Sequence, residues 1–141
     1  MSEERPAVRG VLLAHGAMAN GMADAIRKIS GVGEEALVAM SNDGKTPDSL
    51  KDELDGLLGE APSIIFTDLA SGSCALTARV CCRAGLQQAV IFGVNLPLLL
   101  DFVFHRHLPL DELVPRLLAK GKASLQSTPE YLDHAHRPLQ S

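Results

Sequence analysis

Short apolar runs alternate with amphipathic stretches along most of the chain. Runs with the length and apolar content of buried strands predict four of them, at residues 8–14, 35–40, 63–67 and 88–92. Apolar residues at helical spacing, together with stop signals, predict five helices. The first, fourth and fifth are expected at about 17–30, at 96–104 and at 109 to about 125. The second runs through Leu50 to Leu58 with Gly59 near its end, and the third runs from the Ser71-Gly72-Ser73 turn to about residue 84, with Gly85 as its stop.

This order of elements predicts the fold class. Alternating strands and helices are typical of α/β proteins, in which helices cover both faces of a parallel sheet. Right-handed crossovers leave few arrangements for four such units, and we expect the strand order 2-1-3-4 of a flavodoxin-like, three-layer fold. The first and third strands are then neighbours whose chains leave in opposite directions, so a functional site is expected beyond their carboxyl ends.

The residues at those two strand ends carry suitable chemistry. His15-Gly16 follows the first strand, and Asp68 follows the third strand, just before Gly72-Ser73. A carboxylate that accepts a hydrogen bond from one imidazole nitrogen fixes the tautomer and leaves the other nitrogen nucleophilic. The start of the following helix offers backbone N–H groups and the Ser73 hydroxyl to phosphoryl oxygens, and two glycines leave room for a protein donor.

Simpler interpretations of the same residues stay open at this point. His15 could be an ordinary hydrogen-bonded loop residue, because a single histidine at a strand end is seldom a nucleophile. Asp68 or Ser73 could serve only as the amino-terminal cap of the next helix.

Length and charge restrict the class of protein. The chain has 141 residues and a formal net charge of −4, which fits one domain over residues 1–126 and argues against nucleic acid as a partner. No apolar run is long enough to cross a membrane, and the first ten residues lack the pattern of a signal peptide, so we expect a cytoplasmic protein. Residues 127–141 lack apolar periodicity and are expected to form a mobile tail or to dock on a partner subunit.

Three cysteines are expected to be reduced, since their number is odd and no export signal is evident. Cys81 and Cys82 are interpreted as small apolar helix residues, because adjacent cysteines lack the spacing of zinc or redox motifs. Cys74 places a thiol beside the predicted site, where a packing role is favoured over a reactive one.

Other candidate motifs are weak, and we expect no metal and no cofactor. Gly44-Lys45-Thr46 resembles the end of a P-loop, but Ala39 stands where the pattern needs glycine. His105 and His107 point apart on a helix and are interpreted as a solvated helix end. His134 and His136 lie in the tail without further ligands.

Three segments together resemble a known family. They are VLLAHG ending at His15-Gly16, IIFTDLASGS with Asp68, Gly72 and Ser73, and GVNLPLLL beginning at Gly93. In order and separation they resemble the IIA components of the mannose family (mannose, fructose, sorbose and N-acetylgalactosamine-like systems) of the bacterial phosphoenolpyruvate-dependent sugar phosphotransferase system (PTS). The resemblance covers about residues 7–126.

The resemblance implies a phosphocarrier. His15 would accept a phosphoryl group from the small carrier HPr and pass it to a IIB component, which serves sugar uptake through membrane IIC and IID partners. Asp68 would be its hydrogen-bond partner, Ser73 would be a donor on the phosphate side, and Gly72 and Gly16 would border the group. The resemblance also implies a homodimer in which C-terminal segments are exchanged.

Two departures from the family pattern stand beside the predicted site. Ser71 replaces the first glycine of the family's Gly-Gly turn, and Cys74 replaces its usual proline. Losing the proline removes a fixed dihedral angle from the first helical turn.

Two further functions remain possible from the sequence. A regulatory binding protein of the same fold, controlled by phosphorylation of His15, would use the same residues. A metal- or nucleotide-dependent enzyme would need a cofactor loop, and none is recognisable.

Overall fold

A computed structural model describes residues 6–83, 85 and 87–131. Four strands and five helices alternate in it as β1 (Arg9–Ala14), α1 (Met18–Ser30), β2 (Leu37–Ser41), α2 (Pro47–Leu58), β3 (Ser63–Thr67), α3 (Ser73–Cys81), β4 (Gln88–Phe92), α4 (Leu96–Phe104) and α5 (Leu110–Ala123). The predicted elements are therefore all present. No helix among the described residues combines the length and apolarity that a membrane span requires.

The four strands form one parallel sheet in the order β2-β1-β3-β4. This is the predicted strand order. β1 lies between β2 and β3, with Leu12 opposite Ala39 on one side and Phe66 on the other. The carboxyl ends of β1, β2 and β3 consequently lie side by side at one end of the sheet. Residues 15–16, 41–42 and 68 are located there.

Helices cover both faces of the sheet, as the alternating pattern predicted. On one face, α1, α4 and α5 pack over Leu12, Ile64 and Phe66, with Phe102 from α4 in edge contact with Phe66. On the other face, α2 and α3 pack over Val11 and Leu13. Both apolar clusters are buried beneath these helices, and the central strands accordingly carry apolar residues on both faces.

The start of β2 and both ends of α3 show the clearest differences from the sequence-based expectation. β2 begins at Leu37 because residues 34–36 form a turn, in which the Ala36 N–H donates to the Gly33 carbonyl. α3 ends at Cys81, not near residue 84, because Cys82 is extended and the Gln88 side chain accepts a hydrogen bond from the Arg83 N–H. α3 also lacks the expected side-chain cap: its N-cap residue is Gly72.

The other helix ends follow their local sequence. Thr46 caps α2 through its hydroxyl, and Asn95 caps α4 by accepting from the Leu98 N–H at 3.0 Å. The Asn95 amide also donates to the Gly121 carbonyl of α5 at 3.0 Å. Asn95, from the GVNLPLLL segment, therefore fixes α5 against the start of α4. Residues 132–141 lie outside the described part, so the predicted domain boundary and the exchange of C-terminal segments stay predictions.

Candidate functional site

Asp68 holds His15 at two points. One carboxylate oxygen, Oδ2, accepts from the His15 backbone N–H at 3.0 Å and contacts ring Nδ1 at 2.9 Å, while Oδ1 is 3.2 Å from Nδ1. Both residues follow neighbouring strands, β1 and β3, and this is why residues 53 positions apart meet. The expected pairing of His15 with Asp68 is present.

The environment of Asp68 favours its charged form. Burial alone would raise the pKa of this carboxyl, but the hydrogen bonds from the His15 backbone and ring outweigh burial and lower the pKa below its ordinary value of 3.8. A charged carboxylate can only accept hydrogen bonds, so the ring nitrogen that contacts it, Nδ1, carries a proton. In the neutral ring the other nitrogen, Nε2, then has a lone pair. Asp68 is therefore an acceptor that selects one imidazole tautomer.

Gly72 borders the free side of the His15 ring. A Cβ built on Gly72 would lie 3.5 Å from Nε2 and 3.6 Å from Cε1. Its backbone angles, φ 92° and ψ −176°, belong to a region that is almost restricted to glycine. The turn between β3 and α3 is held by the Thr67 hydroxyl, which donates to the Leu69 carbonyl at 2.8 Å. The turn thus places bare backbone beside Nε2.

The end of β2 holds the other side of the His15-Gly16 pair. The Asn42 side-chain oxygen accepts from the Gly16 N–H at 3.2 Å, and the Ser41 hydroxyl donates to the Gly16 carbonyl at 2.8 Å. Gly16 has a positive φ of 60°. The sequence-based prediction did not include Ser41 and Asn42. Their signal was the strand order itself, because β2 is the second neighbour of β1 and its carboxyl end must lie beside Gly16.

Ser73 is the first residue of α3 and is exposed. Within the part of the chain that the structure describes, its hydroxyl makes no hydrogen bond with His15 or Asp68. The first N–H groups of a helix lack intrahelical partners, so the start of α3 directs backbone donors toward the end of the sheet that carries His15. The alternative that Asp68 or Ser73 serves only as the helix cap is wrong, because Gly72 holds that position.

Cys74 lies close to His15 and Asp68. The residue is fully buried, and one ligand atom each of His15, Asp68 and Cys74 lies within 4.8 Å of the others. Burial, and after it the charge of Asp68, raises the pKa of the Cys74 thiol above its ordinary value of 9.0. The three cysteines are free, as expected; Cys81 is a buried helix residue, whereas Cys82 lies just beyond the helix end.

The weaker motifs have structural roles. Lys45 pairs with Glu53 at 2.9 Å, and the adjacent Thr46 caps α2, so this P-loop-like triplet serves the start of a helix. His105 caps the end of α4 and contacts the Asp101 carbonyl through Nδ1 at 2.8 Å. His134 and His136 lie outside the described residues.

The assembled groups are suited to nucleophilic chemistry with an anion. Nδ1 of His15 is held by a carboxylate, the side chain is 38 % exposed, and Nε2 faces a glycine turn that leads into a helix. A group transferred to Nε2 would make the ring cationic, and Asp68 would stabilise that charge. Oxygens of such a group would meet the positive end of α3.

Comparison with known proteins gives a family match. The model of the EIIA-man family, described as the PTS system fructose IIA component, matches residues 10–116. Among curated proteins, no relative of the sequence was found.

Several solved structures resemble the chain. The PTS component EIIA from Streptococcus agalactiae has a TM-score of 0.80 at 19 % identity, over 86 % of this chain and 98 % of that one. The mannose/sorbose-specific IIA subunit from Enterococcus faecalis has a TM-score of 0.73 at 22 % identity, over 96 % and 100 %. A sigma-54 interaction domain protein from Enterococcus faecalis has a TM-score of 0.69 at 14 % identity, over 84 % and 93 %. At these identities the likeness shows the fold alone.

Proposed function

Because the chain belongs to the EIIA-man family of PTS IIA components, we propose that it is a phosphocarrier, with His15 as the residue that carries the phosphoryl group. It takes the group from phospho-HPr and gives it to a IIB component, which serves sugar uptake through membrane IIC and IID proteins. We place this activity in the cytoplasm.

The observation that carries this proposal is the pairing of His15 with Asp68. The Nδ1-to-Oδ2 distance of 2.9 Å supports a ring whose proton is on Nδ1 and whose lone pair is on Nε2. In the transfer, the bond from phosphorus to the donor breaks as the bond to Nε2 forms. The electron pair of the broken bond returns to the donor, and the Nδ1 proton stays between the ring and Asp68.

The phosphate side of the site is assigned to Gly72, Ser73 and Gly16. Gly72 leaves the space beside Nε2 free of a side chain, and Ser73 begins the helix whose N-terminus attracts the phosphoryl oxygens. Ser73 supplies its backbone N–H and its exposed hydroxyl. Gly16 keeps its positive φ through contacts with the end of β2 and leaves the other approach to His15 open.

Exposed apolar side chains at the same end of the sheet support a protein as phosphoryl donor. Met18, at the start of α1, is 51 % exposed; Leu69, next to Asp68, is 54 % exposed; and Leu76, in the first turns of α3, is 64 % exposed. Such side chains around a reactive group suit a protein partner, which can cover them. HPr and IIB would use this surface in turn.

We also propose that the chain forms a homodimer. Within the described residues β4 pairs only with β3, so its outer edge is open to a further strand. Leu118 and Leu125 are exposed beside a small cleft of about 160 Å³ between β4, α4 and α5. The C-terminal tail of a second copy would cover this edge. Light scattering after gel filtration would test it, and a mass of one chain at micromolar concentration would contradict it.

The central experiment is phosphoryl transfer from phosphoenolpyruvate through enzyme I and HPr. Wild type is expected to gain one acid-labile phosphoryl group in intact-mass spectra, and His15→Ala is expected to gain none. His105→Ala is the matched control, since His105 also has a hydrogen-bonded Nδ1 but lies beyond α4. No gain in folded wild type with a competent HPr would refute the proposal.

The second candidate is a regulatory binding protein of the same fold, controlled by phosphorylation of His15. The likeness to a sigma-54 interaction domain protein favours considering it. Passage of the group to a IIB protein would support the carrier. Phosphorylation that is not passed on but changes affinity for another protein would support the regulator.

A further inference from the structure

Three different metal-binding side chains converge beside the start of α3. An imidazole, a carboxylate and a thiol come from His15, Asp68 and Cys74, with one ligand atom of each within 4.8 Å of the others. Two of them belong to the proposed phosphoryl site. The third, Cys74, is a fully buried residue in the first turn of α3.

The spacing is close to that of a zinc site. Zinc binds thiolate sulfur at about 2.3 Å and imidazole or carboxylate atoms at about 2.0–2.2 Å, and a tetrahedron of such bonds separates ligand atoms by about 3.5 Å. Since the ligand atoms lie within 4.8 Å of one another, each pair needs to approach by about 1.3 Å at most to reach that separation. His15 and Asp68 directly follow β1 and β3, and Cys74 lies in the first turn of α3, so these three elements fix the backbones of the ligands.

The ligand set also indicates which cation would bind. A thiolate with an imidazole selects Zn²⁺ and similar thiophilic cations, whereas Mg²⁺ and Ca²⁺ require oxygen ligands. Asp68 adds a carboxylate oxygen, which is also a zinc ligand. Three protein ligands and one side open to solvent leave a fourth position for water, and His15, with its side chain 38 % exposed, lies on that open side.

From this convergence, we infer that the chain binds Zn²⁺ or a similar thiophilic divalent cation through His15, Asp68 and Cys74, and that the bound cation blocks phosphorylation of His15. On binding, the thiol gives its proton to solvent and the sulfur, nitrogen and oxygen atoms each donate an electron pair to the cation. A cation on Nε2 takes the lone pair that would accept the phosphoryl group, whereas a cation on Nδ1 displaces the ring proton from Nδ1 to Nε2 and removes that lone pair in another way. The inhibition rests on the proposed phosphorylation of His15; the binding does not.

Cobalt provides the direct test of binding, because thiolate bonded to Co²⁺ gives a charge-transfer absorption band in the near ultraviolet. The full chain, reduced and metal-free, is titrated with Co²⁺. Wild type is expected to show the band at one equivalent, and Cys74→Ala is expected to lack it. Cys81→Ala is the matched control, a buried cysteine on the same helix, and should keep the band. Absence of the band in wild type, or its persistence in Cys74→Ala, would overturn the inference.

Zn²⁺ affinity of two further variants tests the ligand assignment without any measurement of phosphorylation. His15→Ala and Asp68→Asn each remove a different ligand and are expected to weaken Zn²⁺ binding at least about tenfold, with circular dichroism confirming the fold. Unchanged Zn²⁺ affinity in both would overturn the assignment of ligands.

Zn²⁺ is then expected to stop phosphorylation of wild type by HPr, with recovery on adding a chelator, while Cys74→Ala keeps its activity in Zn²⁺. Equal activity of wild type with and without Zn²⁺ would overturn the inhibition. A cobalt band in a chain that HPr never phosphorylates would instead refute the proposed function and leave the metal site standing.

Discussion

A single oxygen of Asp68 contacts both the backbone N–H and the ring of His15, at 3.0 Å and 2.9 Å. The carboxylate therefore orients the residue as a whole and the imidazole ring in particular. An ion pair that bonded only to the ring would leave the backbone free to move the ring away from a donor.

Asp68→Asn is expected to slow phosphorylation of His15 by about 100-fold, because an amide cannot compensate the charge of the phosphorylated ring and can stabilise the wrong tautomer. Initial rates with phospho-HPr measure the effect. Asp101→Asn is the matched control: Asp101 has the same 9 % side-chain exposure and also contacts a histidine, but at the end of α4. Equal rates for wild type and Asp68→Asn would contradict the role of the pairing.

The lowered pKa of Asp68 predicts a loss of stability in acid. Because the folded-state pKa is below the ordinary 3.8, the unfolded chain takes up a proton first as the pH falls. The contribution of Asp68 to the free energy of unfolding is thus fully present above 3.8 and is lost as the pH falls through the lower folded value. Urea unfolding should show a gap between wild type and Asp68→Asn that narrows below pH 3.8. A constant gap would mean that the charge of Asp68 is not what stabilises the fold.

Asn42→Ala removes the acceptor for the Gly16 N–H and is expected to lower the rate of phosphorylation by about tenfold, since the His15-Gly16 pair loses one of its supports. The matched control is Asp43→Ala, which changes the next residue, whose exposed side chain lies outside this contact. Steady-state kinetics should show the loss in kcat, because the HPr surface is unchanged. A change in KM alone would indicate that Asn42 contacts the donor instead.

Gly72→Ala is expected to reduce phosphorylation strongly and to destabilise the fold by about 1–3 kcal/mol, because φ and ψ there suit only glycine. The added methyl would also lie 3.5 Å from Nε2, in the space that a phosphoryl group needs. Gly59→Ala also changes a glycine of positive φ, but after α2 and with open space around it. It should lose stability and keep the rate, and a normal rate in Gly72→Ala would contradict the placement of the phosphoryl group.

Gly10→Ala is expected to destabilise the protein by about 1–3 kcal/mol through overpacking. A Cβ at Gly10 would lie 2.7 Å from the Phe102 ring and 2.9 Å from the Phe66 ring. Gly21→Ala, on an open face of α1, should instead stabilise by about 0.5–1 kcal/mol, because alanine is the better helix former. Denaturant titration measures the free energy of unfolding of both variants. Equal stability of the two would show that the core near Gly10 can rearrange to accept the methyl group.

The sequence predicted the elements well because apolar periodicity is a local property of each segment. It predicted the strand order well because few parallel-sheet topologies suit four strand-helix units. It placed His15 and Asp68 at neighbouring strand ends for the same reason. The end of α3 could not be read in this way, because the Gln88 side chain, from a later strand, bonds the Arg83 N–H. The strand order places the end of β2 beside Gly16, but Ser41 and Asn42 were missed because the bonds of their side chains to Gly16 depend on the detailed packing there.

The position of β1 between β2 and β3 makes the site a product of completed folding. The His15-Gly16 pair is held by Asp68, 53 positions from His15, and by Asn42, 26 positions from Gly16. Neither nascent β1 nor a chain that has paired only β1 with β2 therefore holds the imidazole in its working orientation. Contacts of such separation form late and together, because closing long loops costs entropy until the whole sheet compensates it. A transferable group would therefore be loaded only on chains that have finished folding.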